Sequence, residues 1–516
     1  MTTATVPPPA AVPKHSARGH IRGSSLLLVG RFLAKGLNFL VQVLIVRYLS
    51  RSDYGSLAYA LSIVAFVQAL ATFGLDRAIT RFVPMYHERG EYGKLFGTVL
   101  MVLGTITSIG IGATLLIVAF QAFFTDSLQL DRQTLSLLLV LIFLAPIQSI
   151  DEVLVGLFAV FAKPRAIFFR KHVLAPLLKL LVVAALIATG GNVLFVAGGY
   201  FLAGLVGTSI CMAVLWQVMR KQHLFDHFRA SELEMPWREV LFFTVPLLTS
   251  ELVHVVMTTM DVIVLQLYGS TNEVAALRAV QPLALMNQLV MASFATLFIP
   301  MASRLFARGD RKGINDLYWQ ATVWIAVMSF PIFLLTFSVA EPVTVLLYGD
   351  RYASSASILA VLSLAYYFNA ATGLNGLTLK VCGELKYIVA MNVGAAALNL
   401  VLILVLIPRY GALGAAVGTS ITIIVQTLLK QYGLQRTGVK PFDLRHAPMY
   451  ALIASTALGL FVAQHWLGFP APLSLGLAAV ACVAVLAMSW RSLEAAEMFP
   501  ELRRLKLLRW WAPADA

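Results

Sequence analysis

The chain has 516 residues, of which 59% are hydrophobic and only 12% are charged. Soluble globular proteins are close to half apolar and one quarter charged, so this composition argues against an ordinary soluble enzyme and indicates a membrane protein. The formal net charge of +14 raises nucleic acid as a partner, but the positions of the basic residues, given below, argue against it.

Long apolar windows recur along the whole chain. A helix needs about 20 apolar residues to cross a bilayer. The sequence therefore predicts an all-α polytopic membrane protein with about 14 transmembrane helices, numbered here as spans 1 to 14. The windows lie at approximately 24–46, 54–75, 95–120, 134–161, 172–190, 192–218, 240–268, 273–302, 317–340, 354–377, 385–407, 411–433, 447–467 and 471–490.

The chain also contains an internal repeat. Residues 46–54 and 83–85 resemble residues 266–274 and 299–301, about 216 residues further on, and residues 206–210 recur letter for letter as 417–421. Each repeat holds an even number of spans, so we expect two parallel six-helix lobes related by a pseudo-twofold axis along the membrane normal. Two like halves around a cavity are typical of a transporter.

The repeat and the composition divide the chain into six segments. Leu502, Leu505 and Leu508 recur every three residues among basic residues, which indicates a helix lying on a membrane surface. The segments are a disordered cytoplasmic tail (1–23), the N-lobe with spans 1–6 (24–218), a cytoplasmic linker (219–239), the C-lobe with spans 7–12 (240–433), spans 13 and 14 (447–490), and a basic amphipathic cytoplasmic tail (491–516).

The basic residues are distributed unevenly between the two sides of the membrane. The tails, the even-numbered loops and the span ends beside those loops hold 30 of the 39 Lys and Arg residues. Positively charged loops stay on the cytoplasmic side, so this bias predicts cytoplasmic termini and accounts for the net charge without nucleic acid. We expect a multi-pass protein of the bacterial inner membrane.

Three cations lie well inside apolar spans. Arg31 and Lys35 lie four residues apart in span 1, and Lys179 lies in the middle of span 5. A charge at the bilayer centre costs about 2.5–3.5 kcal/mol on insertion scales, so each needs a partner or a wet cavity. Together they predict a binding surface for an anionic group such as pyrophosphate. The alternatives are snorkelling of Arg31 to the surface and pairing between helices.

Span 7 carries charge of the opposite sign. Glu251, His254 and Asp261 fall on one face of the predicted helix, and Asn392 and Asn399 of span 11 add oxygen ligands. This pattern predicts a Na⁺ or proton site for energy coupling. A structural ion pair, with Glu251 or Asp261 neutralising Arg31 or Lys35, explains the same residues equally well.

No catalytic motif stands out. The sequence has no Gly-rich phosphate loop, and the three cysteines lack the spacing of a metal site. We therefore expect a transporter without a cofactor, in which Na⁺ or H⁺ supplies the energy, and we do not expect an enzyme.

Several short motifs resemble the multidrug/oligosaccharidyl-lipid/polysaccharide (MOP) exporter superfamily, and most closely its polysaccharide biosynthesis or O-antigen-type flippases. The similarity covers residues 24–490 and lies in four motifs. They are Arg47-Tyr48-Leu49-Ser50-Arg51-Ser52-Asp53-Tyr54-Gly55, Phe73-Gly74-Leu75-Asp76-Arg77-Ala78-Ile79-Thr80-Arg81-Phe82, Leu347-Tyr348-Gly349-Asp350-Arg351-Tyr352 and Pro408-Arg409-Tyr410-Gly411-Ala412-Leu413-Gly414-Ala415-Ala416.

The resemblance implies a twelve-helix, two-lobe core that moves polyprenyl-pyrophosphate-linked oligosaccharides by alternating access, driven by an ion gradient or the membrane potential. It also implies that Arg31 and Lys35 contact the lipid pyrophosphate. Membrane lipids and the polymerase or glycosyltransferase machinery of polysaccharide assembly are the expected partners. The alternatives are a lipid II flippase for peptidoglycan, a cation-coupled multidrug exporter, and a membrane-embedded enzyme or scaffold for polysaccharide assembly.

Overall fold

The computed structural model describes residues 14–72, 74–121, 130–161 and 168–489, without the side chains of residues 14–28, 246–252 and 254. Every regular element in these ranges is helical, which confirms the all-α prediction. The α-helices are α1 Lys14–Tyr48, α2 Arg51–Thr72, α3 Leu75–Arg89, α4 Tyr92–Ala119, α5 Arg132–Leu141, α6 Leu144–Phe161, α7 Ala175–Thr189, α8 Val193–Lys221, α9 Trp237–Tyr268, α10 Thr271–Leu285, α11 Leu289–Ala307, α12 Arg311–Phe333, α13 Ala340–Tyr348, α14 Ala356–Ala371, α15 Asn375–Val381, α16 Leu385–Gly433, α17 Ala447–Leu467 and α18 Ala471–Ser489.

Twelve helical segments of the described ranges are long and apolar enough to cross a membrane, which confirms a polytopic membrane protein. The predicted spans 11 and 12 form one of these segments, Leu385–Thr437, and the described apolar part of α9 is the shorter Val255–Tyr268. The number of about fourteen spans therefore remains a prediction.

α16 contains a break between the two predicted spans. Gly411 has φ 55° and ψ −134°, a backbone conformation that side-chain-bearing residues rarely adopt. The carboxylate of Glu273 accepts a hydrogen bond of 2.6 Å from the Ala412 N–H, the kind of donor that a new helix start leaves free. The chain is thus kinked at the position where the sequence predicts a turn.

The internal repeat is visible as two broken helices. α2 and α3 are separated at Gly74, which has φ 70°, and α10 and α11 are separated by a 3₁₀ turn, Met286–Gln288. The two Pro-containing motifs of the repeat lie in the second helix of each pair, with Pro84 in α3 and Pro300 in α11. Equivalent sequence therefore forms equivalent structure in both halves.

The chain divides into two compact units that do not follow chain order. The first comprises the described parts of Met1–Gln42, Val67–Ala119 and Leu139–Leu248, and the second those of Val43–Phe66, Phe120–Leu138 and Thr249–Ala516. The lobe boundaries at 24–218 and 240–433 remain predictions.

The first unit is built around α3. This amphipathic helix buries Ile79, Phe82 and Tyr86 against residues of α4, α6 and α8. The linker of residues 222–236 packs on the start of α4, where Glu234 N–H donates to the Gly93 carbonyl. An added Cβ at Gly97 would lie 1.9 Å from the Glu234 carbonyl oxygen, so this contact requires glycine.

The second unit has its core where α11, α12, α14, α15 and α16 meet, around buried Tyr318, Trp319 and Leu379. The two helices beyond the repeat pack on this core. The Ser338 hydroxyl donates to the Ala457 carbonyl on α17 at 2.7 Å. α17 and α18 are therefore part of the second unit.

The two predicted tails have different outcomes. α1 begins at Lys14, inside the segment predicted to be disordered, because a helix formed by the following apolar residues extends into polar sequence at little cost. Residues 1–13 and the amphipathic tail 491–516 lie outside the described residues.

Candidate functional site

Arg31 and Lys35 are exposed on one face of α1. In the part of the chain that the structure describes, neither forms an ion pair or a hydrogen bond. α1 is held directly before them by close packing, because an added Cβ at Gly30 would lie 2.7 Å from the His172 ring. Two cations of a largely apolar span thus have no neutralising partner among the described side chains.

Lys179 lies on α7 and is also exposed. Its Nζ is 5.9 Å from the centroid of the Tyr200 ring on α8. A cation–π contact contributes about 0.5–2 kcal/mol and leaves the charge in place. No described contact joins Lys179 to Arg31 or Lys35, so the structure does not bring the three cations into one cluster.

Arg170 provides a contrast within the same unit. It belongs to a basic cluster that the charge count assigns to a cytoplasmic loop, yet it is only 8% exposed and is paired with Asp151 of α6. Its Nη2 also lies 3.4 Å from where a Cβ of Gly207 would be. Arg170 therefore forms a structural ion pair with Asp151. The signal in the sequence was Asp151 itself, an acidic residue inside an apolar span.

Asp261 of α9 is 2% exposed, and its Oδ1 accepts the Val262 N–H at 2.8 Å. Arg278 of α10 places Nη2 at 3.9 Å from the same oxygen, and it also donates to Gln281 Oε1 at 2.7 Å and to the Thr258 carbonyl at 3.0 Å. The partner of Asp261 is thus in its own unit, and sequence reasoning did not identify Arg278.

The remaining predicted coupling residues are not clustered by any described contact. The side chains of Glu251 and His254 lie outside those described. Asn392 Oδ1 accepts from Gln426 at 3.1 Å, and no described contact joins it to Asp261. Asn399 is 1% exposed and neither of its amide atoms has a partner, although buried amides are normally hydrogen-bonded.

A search of the described residues finds no group of three or more His, Cys, Asp or Glu side chains that could hold a metal ion. Among the candidate coupling residues whose side chains are described, the possible ligands are the Asp261 carboxylate and the amide oxygens of Asn392 and Asn399. Such hard oxygen donors suit Na⁺ or a proton carried by the carboxylate.

Three arginines hold one end of the second unit together, and we call Arg47, Arg51 and Arg351 the arginine clamp. Arg351 donates to the carbonyls of Val46 and Arg47 at 2.6 and 2.5 Å. Arg51 donates to the Asn272 carbonyl at 3.2 Å. The clamp thus ties the α1–α2 and α9–α10 connections to the segment after α13.

The two copies of the repeat motif also touch at this end. The hydroxyls of Ser52 and Thr271 are 3.2 Å apart. An added Cβ at Gly55 would lie 1.8 Å from the Thr271 carbonyl oxygen. The glycine that ends the first motif is therefore required for close approach of the second copy.

Comparison with known sequences identifies the family. A family described as Polysaccharide biosynthesis protein matches residues 20–306, and the MatE family matches residues 246–405. The chain is 21% identical over 418 residues to an uncharacterized membrane protein of Methanocaldococcus jannaschii, MJ1068, covering 77% of this chain and 80% of that protein. A match of 26% over 138 residues to stage V sporulation protein B of Bacillus subtilis covers 27% of each chain.

The fold resembles solved transporters. The lipid II flippase MurJ in an inward closed conformation gives a TM-score of 0.71 at 14% identity, over 90% of this chain and 98% of that one. An inward-facing multidrug resistance MATE transporter of the MOP superfamily gives 0.64 at 15% identity, over 78% and 94%. At these identities the likeness concerns the fold alone.

The two family matches, together with the likeness of fold, place the chain in the flippase group of MOP superfamily transporters. Within that group the chain belongs to the polysaccharide biosynthesis protein family. The solved structures that it resembles are transporters and not enzymes.

Proposed function

We propose that this protein moves a polyprenyl-pyrophosphate-linked oligosaccharide from the cytoplasmic to the outer leaflet for cell-surface polysaccharide assembly. The observation that carries the proposal is the contrast among cations in and beside the spans. Arg170 and Arg278 have carboxylates beside them, whereas Arg31 and Lys35 have none among the side chains that the structure describes, which do not include Glu251. Unpaired cations in a membrane span are costly and mark a ligand site.

The chemistry of these side chains suits pyrophosphate. A guanidinium such as Arg31 binds phosphate oxygens through two parallel hydrogen bonds, and an ammonium such as Lys35 adds a mobile point charge. Lys179, whose Nζ lies beside the Tyr200 ring, adds a third basic side chain in the first unit. The oligosaccharide itself contributes hydroxyls that need water or polar side chains, which a wet cavity supplies.

Coupling to an ion supplies the energy in this proposal. Asp261, with Glu251 and His254 on the same helix, is the proposed Na⁺ or proton site, and no cofactor takes part. An ion drives alternating access only if its affinity differs between the two states, by about 1.4 kcal/mol for each tenfold difference in affinity. The buried and unpartnered Asn399 adds one more oxygen to this set.

The cellular setting follows from the charge bias. We place the protein in the bacterial inner membrane with both termini in the cytoplasm, so that the phosphate-binding face receives substrate made there. Glycosyltransferases that build the lipid-linked glycan and a polymerase that consumes it are the partner activities that this substrate requires.

The test is translocation by purified protein in liposomes that contain a fluorescent polyprenyl-pyrophosphate oligosaccharide. We expect Lys35→Ala to abolish transfer to the outer surface and Lys35→Arg to retain part of it. Lys312→Ala, which removes an exposed lysine of the second unit, serves as the matched control and leaves transfer unchanged. Normal transfer by Arg31→Ala/Lys35→Ala protein would overturn the proposal.

Lipid II is the second candidate substrate, because the MurJ-like fold extends over 90% of the chain. Lipid II carries the same polyprenyl pyrophosphate, so only the sugar head group distinguishes the two substrates. Comparing the transfer of lipid II with that of the lipid-linked oligosaccharide in the same liposomes therefore separates the two candidates. A cation-coupled drug exporter ranks third. The MatE match ends at residue 405, and α17 and α18 add helices that the twelve-helix exporters usually lack.

A further inference from the structure

A small cavity with both apolar and polar walls opens in the second unit where α14, α15 and α16 meet α11. Its volume is about 210 Å³, and its lining includes Lys380 of α15 and Lys430 of α16. Three asparagines, Asn369, Asn375 and Asn392, complete the polar part of the wall. We call this the lysine–asparagine cavity.

The charge of the lysine–asparagine cavity is uncompensated. Its lining contains two lysines and neither Asp nor Glu. Among the described residues, neither Lys380 nor Lys430 forms an ion pair or a hydrogen bond. The stem of Lys430 lies beside Gly376, with its Cδ at an ordinary contact distance of 3.7 Å from the position of an added Cβ. Two like charges at one small cavity repel each other unless an anion lies between them.

The amide groups around the cavity are already oriented. Asn375 Oδ1 accepts the Gly376 N–H at 2.6 Å, and Asn392 Oδ1 accepts from Gln426 at 3.1 Å. Asn369 is held at both ends, because its oxygen accepts from Gln288 and its amide nitrogen donates to Thr427. With its oxygen engaged, Asn392 offers the N–H donors of its amide to the cavity.

We infer that the lysine–asparagine cavity is a second phosphate-binding site, which takes the phosphate or pyrophosphate of a membrane-anchored ligand. The inference deepens the proposed function and rests on it for the identity of that ligand. Ligand pockets for whole small molecules are typically about 300–1,000 Å³, so a cavity of this size holds a head group and leaves the rest of the ligand outside. Basic pockets between transmembrane helices are known to bind phosphate-bearing lipid heads.

This assignment changes the role of Asn392. The sequence predicts it as a ligand for a coupling cation, but the structure places it in a wall with Lys380 and Lys430 and no carboxylate. A cation there would be repelled by both lysines. The two roles therefore make opposite predictions about which ion stabilises the protein.

The first experiment measures binding without transport. Purified Arg31→Ala/Lys35→Ala protein is titrated with inorganic pyrophosphate, and the rise in melting temperature is followed. Because the cations of α1 are absent, we expect the remaining stabilisation to require the lysine–asparagine cavity. Adding Lys380→Gln and Lys430→Gln should raise the apparent Kd for pyrophosphate at least tenfold. Adding Lys312→Gln, which removes an exposed lysine of the same unit outside the cavity, should leave it unchanged.

Two further variants keep the test decisive. Lys380 is exposed, so Lys380→Gln alone is expected to fold and should weaken pyrophosphate binding at least threefold. Lys380→Arg/Lys430→Arg keeps both charges and should retain binding. Undiminished binding by Lys380→Gln/Lys430→Gln protein, or stabilisation by Na⁺ that requires Asn392, would overturn the inference. Failure of flipping with binding intact would instead count against the proposed function.

A second measurement identifies the source of the phosphate. Protein in nanodiscs of phosphatidylglycerol or of phosphatidylcholine is examined by native mass spectrometry for retained lipid. If the cavity serves any anionic lipid, phosphatidylglycerol should be retained by the wild type and lost from Lys380→Gln/Lys430→Gln protein. If it serves the pyrophosphate substrate alone, pyrophosphate should bind while no phosphatidylglycerol is retained. If the protein neither binds pyrophosphate nor retains phosphatidylglycerol, the inference is overturned.

Discussion

At the scale of single residues, the cations in and beside the spans fall into two groups. Arg170 and Arg278 have a carboxylate close by, and both are largely shielded from solvent. Arg31 and Lys35 are exposed and have no described partner. A paired cation already has its neutralising charge, whereas an unpaired one retains its attraction for an incoming anion. Whether a cation has a structural role or a binding role therefore depends on whether a carboxylate lies beside it, and not on whether it is Lys or Arg.

We predict that Asp261→Asn uncouples flipping from its ion gradient while the protein stays folded. Arg278 keeps acceptors in Gln281 Oε1 and the Thr258 carbonyl, so loss of the carboxylate does not leave it without hydrogen bonds. The measurement is flipping in liposomes under an imposed Na⁺ or proton gradient, with the melting temperature followed in parallel.

Arg278→Gln provides the control for Asp261→Asn. If Asp261 is only a structural partner, each single variant should melt earlier and the double variant should recover part of the loss, as a double-mutant cycle reveals. A fully gradient-dependent Asp261→Asn protein would also exclude Asp261 as the coupling site.

At the scale of helices, the glycines of α4 differ in what they contact. Among the described residues, nothing lies within 4 Å of an added Cβ at Gly104 or Gly112. In the same helix, Gly93 and Gly97 have the linker's carbonyl oxygens at 2.1 and 1.9 Å from that position. The linker that joins the two repeats thus packs closely on α4 because Gly93 and Gly97 of that helix have no side chains.

We predict that Gly97→Ala destabilises the first unit by about 1–3 kcal/mol, because the backbone of the linker must move to admit the methyl group. Gly104→Ala is the matched control in the same helix, and it should stabilise by up to about 1 kcal/mol through helix propensity. Thermal melting in detergent measures both. Equal melting of the two variants would show that the linker is not held by this contact.

At the scale of the whole molecule, we predict that the arginine clamp opens during the alternating access that the proposed function requires. It joins segments from both copies of the repeat through hydrogen bonds to main-chain carbonyls. Because carbonyls carry no charge, the clamp can open into water without leaving a carboxylate unpaired. On the predicted topology it lies at the outer face, where the substrate leaves.

We predict that a disulfide across the clamp stops transport reversibly. Ser52→Cys/Thr271→Cys replaces two hydroxyls 3.2 Å apart, and it is made after Cys211, Cys382 and Cys482 are replaced by alanine. Oxidation should abolish flipping and reduction should restore it. Each single-cysteine variant is the control and should be insensitive to the oxidant. Full activity of the cross-linked protein would show that this end stays closed during transport.

We predict opposite sidedness for two exposed positions. Ser231 lies in the linker, and Asn192 caps the start of α8 by accepting the Phe195 N–H at 3.1 Å. A cysteine at residue 231 should react with an impermeant reagent only from the cytoplasm, and one at residue 192 only from outside. Reaction of both from the same side would contradict the topology.

Local sequence determined the class of this protein and much of its architecture. A bilayer imposes a length and a composition on each segment separately, so apolar windows identify a polytopic helical protein without knowledge of neighbours. The repeat is likewise local, and its motifs reappear as the broken helices α2–α3 and α10–α11. The exposed cations Arg31, Lys35 and Lys179 were found in the same way, from charges within apolar windows.

Only the tertiary structure decided which charges have partners. Arg170 was counted among cytoplasmic loop residues and is instead buried beside Asp151, while Arg278 was not identified as the neighbour of Asp261. Lys430 meets Lys380 and Asn392 because α15 folds back beside both halves of α16. Electrostatic pairing depends on distances between helices far apart in sequence, and no periodicity within one helix encodes those distances.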